Sequence, residues 1–548
     1  MYDDIGNEYD SYTPISDLIA NGNSLSQILE APNLISELRG GSHETATFLL
    51  QDNIFKELIS LLLKDIDPNQ TTDENYKLPH VSCEILSSSS SAIVNKIRSS
   101  GSLDQLLDFL EQEGQITPIC SFRVSKVLLN FLQLDRDYLL ALMNERHSLV
   151  NLIKHLDCYP FCEFISSVLF TIDNVSLKSD LLTLIKSDNF VTNILKQLHC
   201  STNPIESSSI YQILSHIIAI FSNVDLPEIV SQLFLQTDRD LIISILFEGA
   251  SNHAKIAVLS LLIDIVWNLR YFSHDDAFDP IDEDVQPPEF IEAFILPNLT
   301  RFSTLLKGMT SPSVFSSVDC FNRKGMIKLR LIILFSSVIR SGYGHSVDSA
   351  LISSQIFPTL VELFFSPSNN NILHTELYTI FEQGLISRSD DLCEHIVLDS
   401  GLATRVKDSL HKEQERLTQL LTQPSYSTSP LIATCSIDSN DPVPSPSPPL
   451  LSKTPIKVDD VPPYLAHTLH IARILQDKAV YVNGLLEILD AEWDELFSVI
   501  VKPQMDAQES PPLPITDEMA QQVSMNQTPI QLDWNNGSSD QYDDDFVM

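Results

Sequence analysis

Apolar residues recur at helical spacing along most of this chain. Between residues 16 and 422, clusters fall at i, i+3, i+4 and i+7, which places their members on one face of a helix. One such cluster comprises Leu103, Leu106, Leu107 and Leu110. Alternating patterns typical of strands are scarce. The pattern therefore predicts an all-α fold in which each helix buries an apolar face against its neighbours.

Some segments are apolar on more than one side. Ile213 and Ile217 lie on one face of a predicted helix, and Leu214 and Ile218 lie on a second. A helix of this kind is expected to be sandwiched between two others. Helix-length segments alternate with short breaks that contain proline, at residues 77–79, 116–118, 159–160 and 203–204. We find no strict repeat period, and we predict an α-solenoid of degenerate armadillo/HEAT-like helical pairs.

Three segments depart from the helical pattern. Residues 274–290 contain seven acidic residues and three prolines, which predicts an exposed loop. Residues 424–463 hold ten of the 30 prolines, which is typical of a disordered linker. Residues 501–548 carry nine acidic residues and one basic residue, as in a disordered acidic tail. The predicted organisation has five parts: a flexible N-terminus (1–15), a helical array (16–422), the linker (423–463), a helical segment that packs back on the array (464–500), and the tail (501–548).

The charge and glycine content exclude several classes of function. The 34 basic and 73 acidic residues give a net charge of −39. Phosphate recognition needs a basic surface, so we expect no nucleic acid and no anionic lipid among the partners. Glycine accounts for only 15 of 548 residues, under half the usual share of about 7%. Enzymes built on glycine-rich phosphate loops are therefore disfavoured.

The cysteines and the apolar stretches indicate the cellular compartment in which the protein is expected. The eight cysteines are scattered through a long chain, which favours reduced thiols over a disulfide framework. No stretch approaches 18 uninterrupted apolar residues, and the acidic N-terminus lacks an apolar core. We therefore expect no membrane insertion and no signal peptide. The predicted location is cytoplasmic, with a nuclear pool left open.

Common catalytic signatures do not occur in the sequence. There is no Gly-Lys dipeptide for a Walker A loop and no G-x-S-x-G nucleophile elbow. His43-Glu44 is followed by Thr47 where a zinc protease needs its second histidine. The glycine-bearing motifs with which metallophosphatases hold two metals are also missing. We expect no enzyme activity and no cofactor.

Three local patterns have both a functional and a structural interpretation. His155, Cys158 and Cys162 could gather around zinc, but buried thiols near a helix turn are favoured. Residues 87–91 are all serine, either a phosphorylated loop or a polar connection between helices. Residues 25–30 match the L-x-x-I-x-E pattern by which short peptides bind a type 2A phosphatase subunit. Since they lie in a helical apolar pattern, a packing role is favoured.

A set of local patterns in one order resembles the SAPS family, the regulatory subunits of protein phosphatase 6 and its yeast counterpart. Residues 34–39 (LISELR) are similar to the family's opening L-x-x-E-L-R/K segment, and residues 360–374 (LVELFF…NNILH) to its LLDLFF…NNFLH. The other resembling segments are residues 77–87, 106–127, 152–165, 325–334 and 465–469. Together they span about residues 25–500. Glu163 and Lys328 depart from the family's Asp and Arg, and residues 175–275 match poorly.

This resemblance implies a role and a set of contacts. It implies a non-catalytic regulatory or scaffolding subunit that binds the catalytic subunit of a phosphatase-6-type Ser/Thr phosphatase and directs its activity or substrates. An ankyrin-repeat third subunit is left open. The alternatives are an armadillo-like adaptor in transport or trafficking, and an enzyme with an unrecognised site. The polar residues of the family-like motifs are the candidate partner-binding residues: Glu37, Arg39, Lys126, Asn370, Asn371 and His374.

Five of the six candidates also have a structural interpretation. Asn370 and Asn371 could cap a helix, His374 could be a hydrogen-bonded core residue, and Glu37 and Arg39 could pair within the chain. In the linker, four residues precede proline and are candidates for proline-directed phosphorylation: Ser429, Ser445, Ser447 and Thr454.

Overall fold

The computed structural model shows an all-α protein, as the apolar periodicity predicted. It describes residues 13–64, 73–112, 114–170, 185–186, 189–221, 226–270, 285–309, 323–366, 370–386, 388–422, 464–479, 481–482 and 485–503. No β-strand occurs in these ranges. The described residues fall into two compact units. The larger lies within Met1–Val406 and Leu431–Ile488, and the smaller within Lys407–Pro430 and Leu489–Met548.

The helices are mostly short in the first repeats and longer towards the middle of the chain. Helices α1–α9 are Ile15–Ala20, Leu25–Glu30, Leu34–Arg39, His43–Leu49, Asp52–Leu63, Asp73–Leu86, Ser91–Ser99, Ser102–Leu110 and Pro118–Leu134. Helices α10–α18 are Arg136–Glu145, Ser148–Ile153, Tyr159–Phe170, Phe190–Cys200, Pro204–Ile220, Leu226–Leu233, Gln236–Phe247, Asn252–Asn268 and Leu296–Gly308. Helices α19–α27 are Arg323–Ile339, His345–Ser354, Phe357–Phe364, Asn371–Ile386, Asp390–Glu394, Leu402–Thr422, Leu465–Lys478, Leu485–Ile488 and Ala491–Leu496.

Helices of the larger unit stack in two rows. One row consists mainly of long helices, each packed on the next: α6, α9, α12, α14, α17, α19, α22 and α25. We call it the long-helix row. The other row runs through α5, α8, α11, α13 and α16, and continues from α18 through α20 to α23. Stacking of successive helical pairs in two layers is the architecture of an α-solenoid, which confirms the predicted fold class.

Most of the predicted breaks mark the first residues of long helices. Helix α9 begins at Pro118, and the hydroxyl of Thr117 accepts a hydrogen bond from the N–H of Cys120 at 3.3 Å. Helix α14 begins at Pro204, and Oδ1 of Asn203 accepts from the N–H of Ile205 at 2.9 Å. Proline fits the first turn because its missing N–H would lack an intrahelical partner there. The preceding side chain supplies the cap.

The break predicted at residues 77–79 is wrong. These residues lie inside α6, with Pro79 as its seventh residue. Proline there leaves the carbonyl of Asn75 without its helical partner. That carbonyl belongs to the first turn of α6, ahead of the segment that packs into the core, where Ser82, Cys83 and Ile85 are buried.

The predicted loop at residues 274–290 ends inside the fold. Residues 271–284 lie outside the described part of the chain, but Phe290 is fully buried and its ring contacts Phe234 at 5.8 Å. A π-helical turn, Ile291–Ile295, follows it directly. Phe290 therefore belongs to the core and not to an exposed loop.

The core lies between the two rows. Leu103, Leu106, Leu107 and Leu110 of α8 are all buried. Helix α14 packs between α12 and α17 and buries two of its faces, as its apolar pattern predicted. Within the same unit, α25 packs against α22. None of the helices in the described ranges combines the length and apolar character needed to cross a bilayer.

The smaller unit has its own polar and apolar contacts. Lys407 Nζ lies 2.9 Å from Asp490 Oδ1 and 3.2 Å from Glu492 Oε2. Asp490 also caps α27 by accepting from the N–H of Trp493, whose indole is fully buried. Helix α27 continues into a π-helical turn, Phe497–Val501, which ends with Ile500 and Val501 buried. Ordered structure therefore extends past residue 500.

Candidate functional site

Two of the six candidate partner-binding residues meet at one carboxylate. Arg39 of α3, Glu84 of α6 and Lys126 of α9 form what we call the basic cluster. Lys126 Nζ donates to one oxygen of Glu84, and Arg39 Nη2 lies 3.8 Å from the other. The hydrogen bond from Lys126 is the main cause that lowers the pKa of Glu84, so this carboxylate is ionised at neutral pH. One carboxylate between two cations leaves an excess positive charge on a strongly acidic protein.

The position of the basic cluster follows from the helix register. Glu84 and Lys126 are 42 residues apart, and the same separation joins Asn130 Nδ2 to the carbonyl of Ser88 at 3.2 Å. Arg39 is exposed and Lys126 is partly exposed. Exposed pairs of this kind contribute only about 0–1 kcal/mol to stability. The cations can therefore be shared with a partner at little cost to the fold.

Glu37 has a structural role within the chain. Its carboxylate accepts from the N–H of Ile15 at 3.2 Å and from Asn33 Nδ2 at 2.7 Å. Ile15 is the first residue of α1, where helical N–H groups have no intrahelical acceptor. Glu37 therefore ties α3 to the start of α1.

The three candidates near residue 370 have different surroundings. Asn370 caps α22, since its Oδ1 accepts from the N–H of Leu373 at 3.1 Å, and the next residue, Asn371, is exposed. His374 is fully buried and stacks on Tyr464 at 5.8 Å between ring centroids. The prediction that His374 contacts a partner is therefore corrected, because a partner cannot reach a side chain inside the core.

His374 belongs to an aromatic seam between α22 and α25. Tyr464 also contacts Phe365, and one turn along the seam Tyr378 stacks on His467 at 4.9 Å. Burial lowers the pKa of His374 to about 4, and the neighbouring His467 contributes in the same direction. Burial also lowers the pKa of His467. Both rings are therefore neutral at pH 7, and α25 is held on α22 by stacking between uncharged rings.

The possible zinc ligands do not converge. His155 Nε2 lies 3.0 Å from the carbonyl of Leu110, Cys158 donates to Ile116 at 3.1 Å, and Cys162 to Ser209 at 3.6 Å. Each side chain thus bonds to a different stretch of backbone. Burial raises the pKa of Cys158 to about 11. Among the described residues, no group of three or more His, Cys, Asp or Glu side chains is placed to hold a metal ion.

The remaining local patterns fall in ordinary structural positions. Leu25 and Ile28 are buried in α2, so the segment resembling a phosphatase-binding peptide packs against the core. Residues 87–90 connect α6 to α7, and Ser91 begins α7. The four candidate phosphorylation residues of the linker lie outside the described ranges.

Comparison with known proteins points to one group of relatives. The chain is 21% identical over 441 residues to serine/threonine-protein phosphatase 6 regulatory subunit 3-A of Xenopus laevis, covering 72% of this chain and 50% of that protein. It is 23% identical over 383 residues to regulatory subunit 1 of Mus musculus, covering 65% and 44%. It is 17% identical over 370 residues to regulatory subunit 2 of Homo sapiens, covering 65% and 38%.

The other comparisons add little. The chain spans about half the length of the curated relatives it matches. No family model matches the chain. A solved engineered protein is 14% identical and covers 74% of this chain and 93% of its own, but at a TM-score of 0.37 it supports no conclusion.

The curated relatives agree with the resemblance found in the sequence motifs. All seven relatives are regulatory subunits of phosphatase 6. The family-like motifs occur in one order along the chain, and most of them lie on helices of the two stacked rows. These similarities support remote membership of this chain in the SAPS-domain family of phosphatase 6 regulatory subunits.

Proposed function

We propose that this protein is a non-catalytic regulatory or scaffolding subunit that binds the catalytic subunit of a phosphatase-6-type Ser/Thr phosphatase and directs its activity or substrates. The observation that carries this proposal is the similarity to phosphatase 6 regulatory subunits over 72% of the chain. The matched length exceeds any single motif. It corresponds to the size of the helical array and not to one local site.

The array supports this proposal physically. A stable interface between proteins buries about 800 Å² on each partner. Helices that already pack in two rows offer such a surface without the ordering cost that a disordered segment pays on binding. The basic cluster adds an exposed positive charge on one face of the array, which can pair with a carboxylate of the partner.

The experiment is affinity purification of the tagged full-length chain from native lysate, followed by mass spectrometry and a phosphatase assay. We expect a phosphatase-6-type catalytic subunit to co-purify, and the phosphatase activity to leave with that subunit when the complex is dissociated. A tagged α-solenoid of unrelated function and similar net charge is the control for non-specific capture by the acidic chain.

Three outcomes would contradict the proposal. Recovery of cargo or coat proteins without a phosphatase would favour the adaptor function. Turnover by the isolated chain, after removal of every co-purifying phosphatase, would make it an enzyme. Equal recovery of the catalytic subunit on the control solenoid would show that its capture reflects charge alone.

A further inference from the structure

Five large apolar side chains are exposed at the N-terminal ends of four consecutive helices of the long-helix row. They are between 36% and 54% exposed. The five are Tyr76 of α6, Ile119 and Phe122 of α9, Tyr159 of α12 and Ile205 of α14. We call this set the apolar strip. Scattered single apolar residues on a surface are ordinary, whereas a contiguous set marks an interaction site.

The register between the helices places the residues of the strip at matching heights on neighbouring helices. A separation of 42 residues relates α6 to α9, and Cys158 bonds to Ile116, again 42 residues away, where α12 meets α9. Tyr76 therefore lies opposite residue 118, next to Ile119, and Tyr159 lies opposite the first turn of α9.

The register continues into α14. Cys162 bonds to the carbonyl of Ser209, 47 residues away. The rings of Phe170 and His216, which are 46 residues apart in the sequence, lie 4.6 Å from each other. Adding the same 46–47 residues to position 159 gives residues 205–206. Ile205 of α14 is therefore the neighbour of Tyr159. Packed helices are about 8–10 Å apart, and four of them carry the strip over about 30 Å.

The basic cluster adjoins the strip. Lys126 follows Phe122 by four residues on α9, so both lie on the same face, one turn apart. Tyr76, His80 and Glu84 follow the same spacing on α6, and the Tyr76 ring stacks on His80 at 6.5 Å. An apolar strip beside an excess positive charge fits a partner surface that combines an apolar centre with an adjacent carboxylate. The rest of this acidic chain would repel a broadly acidic partner.

The area of the strip matches a protein interface. Large side chains bury roughly 150–250 Å² each, so five that are about half exposed present on the order of 450 Å² of apolar surface. This is about the apolar core of one side of a standard interface of about 800 Å² per partner. Tyrosine is also enriched among the residues that dominate binding energy, and phenylalanine is enriched at protein interfaces.

We propose that the apolar strip is the surface on which the phosphatase catalytic subunit docks, with Arg39 and Lys126 pairing to a carboxylate at its edge. This inference rests on the proposed function and adds the face of the array, the anchoring side chains and the chemistry of the partner's contact surface. Phe122 and Tyr159 lie at the middle of the strip and are its central anchors.

The opposite ends of the long helices provide a matched control. Leu134 ends α9 and Ile386 ends α22, and both are about half exposed. Both lie outside the strip, and changing them to serine removes a similar amount of exposed apolar surface from the same row of helices.

The test uses the full-length chain, purified catalytic subunit and a quantitative binding assay at physiological salt. The double variant F122S/Y159S should raise the Kd at least about thirtyfold, as expected for the loss of two central anchors. The control L134S/I386S should bind within about threefold of wild type. Circular dichroism and the urea midpoint of both variants should match wild type, because the replaced side chains are exposed.

The outcomes separate this inference from the proposed function. If the wild type binds and F122S/Y159S binds with the same affinity, the strip is not the docking surface. The same holds if F122S/Y159S and the control lose affinity equally. In both cases the proposed function still stands. No binding by the wild type would overturn the function itself. If light scattering instead finds a dimer of the chain alone that F122S/Y159S abolishes, the strip joins two copies and the docking proposal fails.

A second measurement needs no variant. Hydroxyl-radical footprinting of wild-type protein should show slower oxidation of Phe122 and Tyr159 in the presence of the catalytic subunit, with Leu134 unchanged. Oxidation of the strip at the same rate with and without a bound catalytic subunit would overturn the inference even if the serine variants fail to fold.

Discussion

Replacement of Arg388 by methionine should destabilise the array locally by several kcal/mol. Arg388 follows α22, its side chain is completely buried, and its Nε lies 3.3 Å from Oδ1 of the equally buried Asp348 on α20. Its Nη1 donates to the carbonyl of Tyr343 and its Nη2 to that of Val338. The other oxygen of Asp348 accepts from the N–H of Ser389 at 3.2 Å. The pair thus connects three segments in the second half of the array.

The size of the effect follows from desolvation. Methionine fills most of the volume of the arginine side chain but leaves the Asp348 carboxylate buried without its counter-charge. Removing one partner of a buried ion pair lowers the free energy of unfolding by about 3–5 kcal/mol. The double variant D348N/R388M removes both charges, so we expect it to be more stable than the sum of the single changes by about 1–3 kcal/mol.

Hydrogen–deuterium exchange of the native protein is the suitable assay, because long helical arrays do not unfold in a single step. The amides of α20, α22 and α23 should open with a free energy lowered by about 3–5 kcal/mol in R388M, while α8 and α9 keep wild-type protection. A change below about 1 kcal/mol at α22, or additivity in the double variant, would show that Arg388 and Asp348 do not form a stabilising buried ion pair.

Three further results are expected. Deleting residues 504–548 should leave binding of the catalytic subunit nearly unchanged at physiological salt, since the strip and the family-like motifs all precede that segment; loss of binding with the array still folded would contradict this. Limited proteolysis should cut residues 424–463 first, because a sequence so rich in proline and serine offers too little apolar area to offset the cost of ordering. Early cleavage inside α9 would contradict this expectation. The free energy of unfolding should fall as the pH drops from about 6.5 to about 4, because the pKa of His374 is lower in the folded state than in the unfolded state, so folding favours the neutral ring. The H374F variant should show a shallower decline. A decline identical to that of the wild type would argue against His374 as the cause.

Local signals in the sequence were sufficient for the fold class and for several helix boundaries. Thr117-Pro118 and Asn203-Pro204 combine a capping side chain with a proline in the first turn, and both features act within a few residues of each other. Proline alone is less informative. Pro79 follows the first turn of α6, where the missing hydrogen bond is tolerated, so the same residue type marks no boundary there.

The surface features depend on contacts between distant residues. Arg39 and Lys126 were predicted from motif resemblance, but their meeting at Glu84 requires the register of α6 against α9. His374 is a polar residue of a family-like motif. It is buried where Tyr464, which follows the linker in the sequence, stacks on its ring. Helix α9 is apolar on several sides, so its sequence does not show that Ile119 and Phe122 are the residues left uncovered.

Size-exclusion chromatography with light scattering, on the purified chain mixed with a phosphatase-6-type catalytic subunit, shows directly whether the two proteins form a complex. We expect a single complex whose mass is the sum of one 61.5 kDa chain and one catalytic subunit. We also expect all phosphatase activity to elute with that complex and none with the excess free chain. Separate elution of the two proteins at micromolar concentration would contradict the proposal that this protein binds the catalytic subunit.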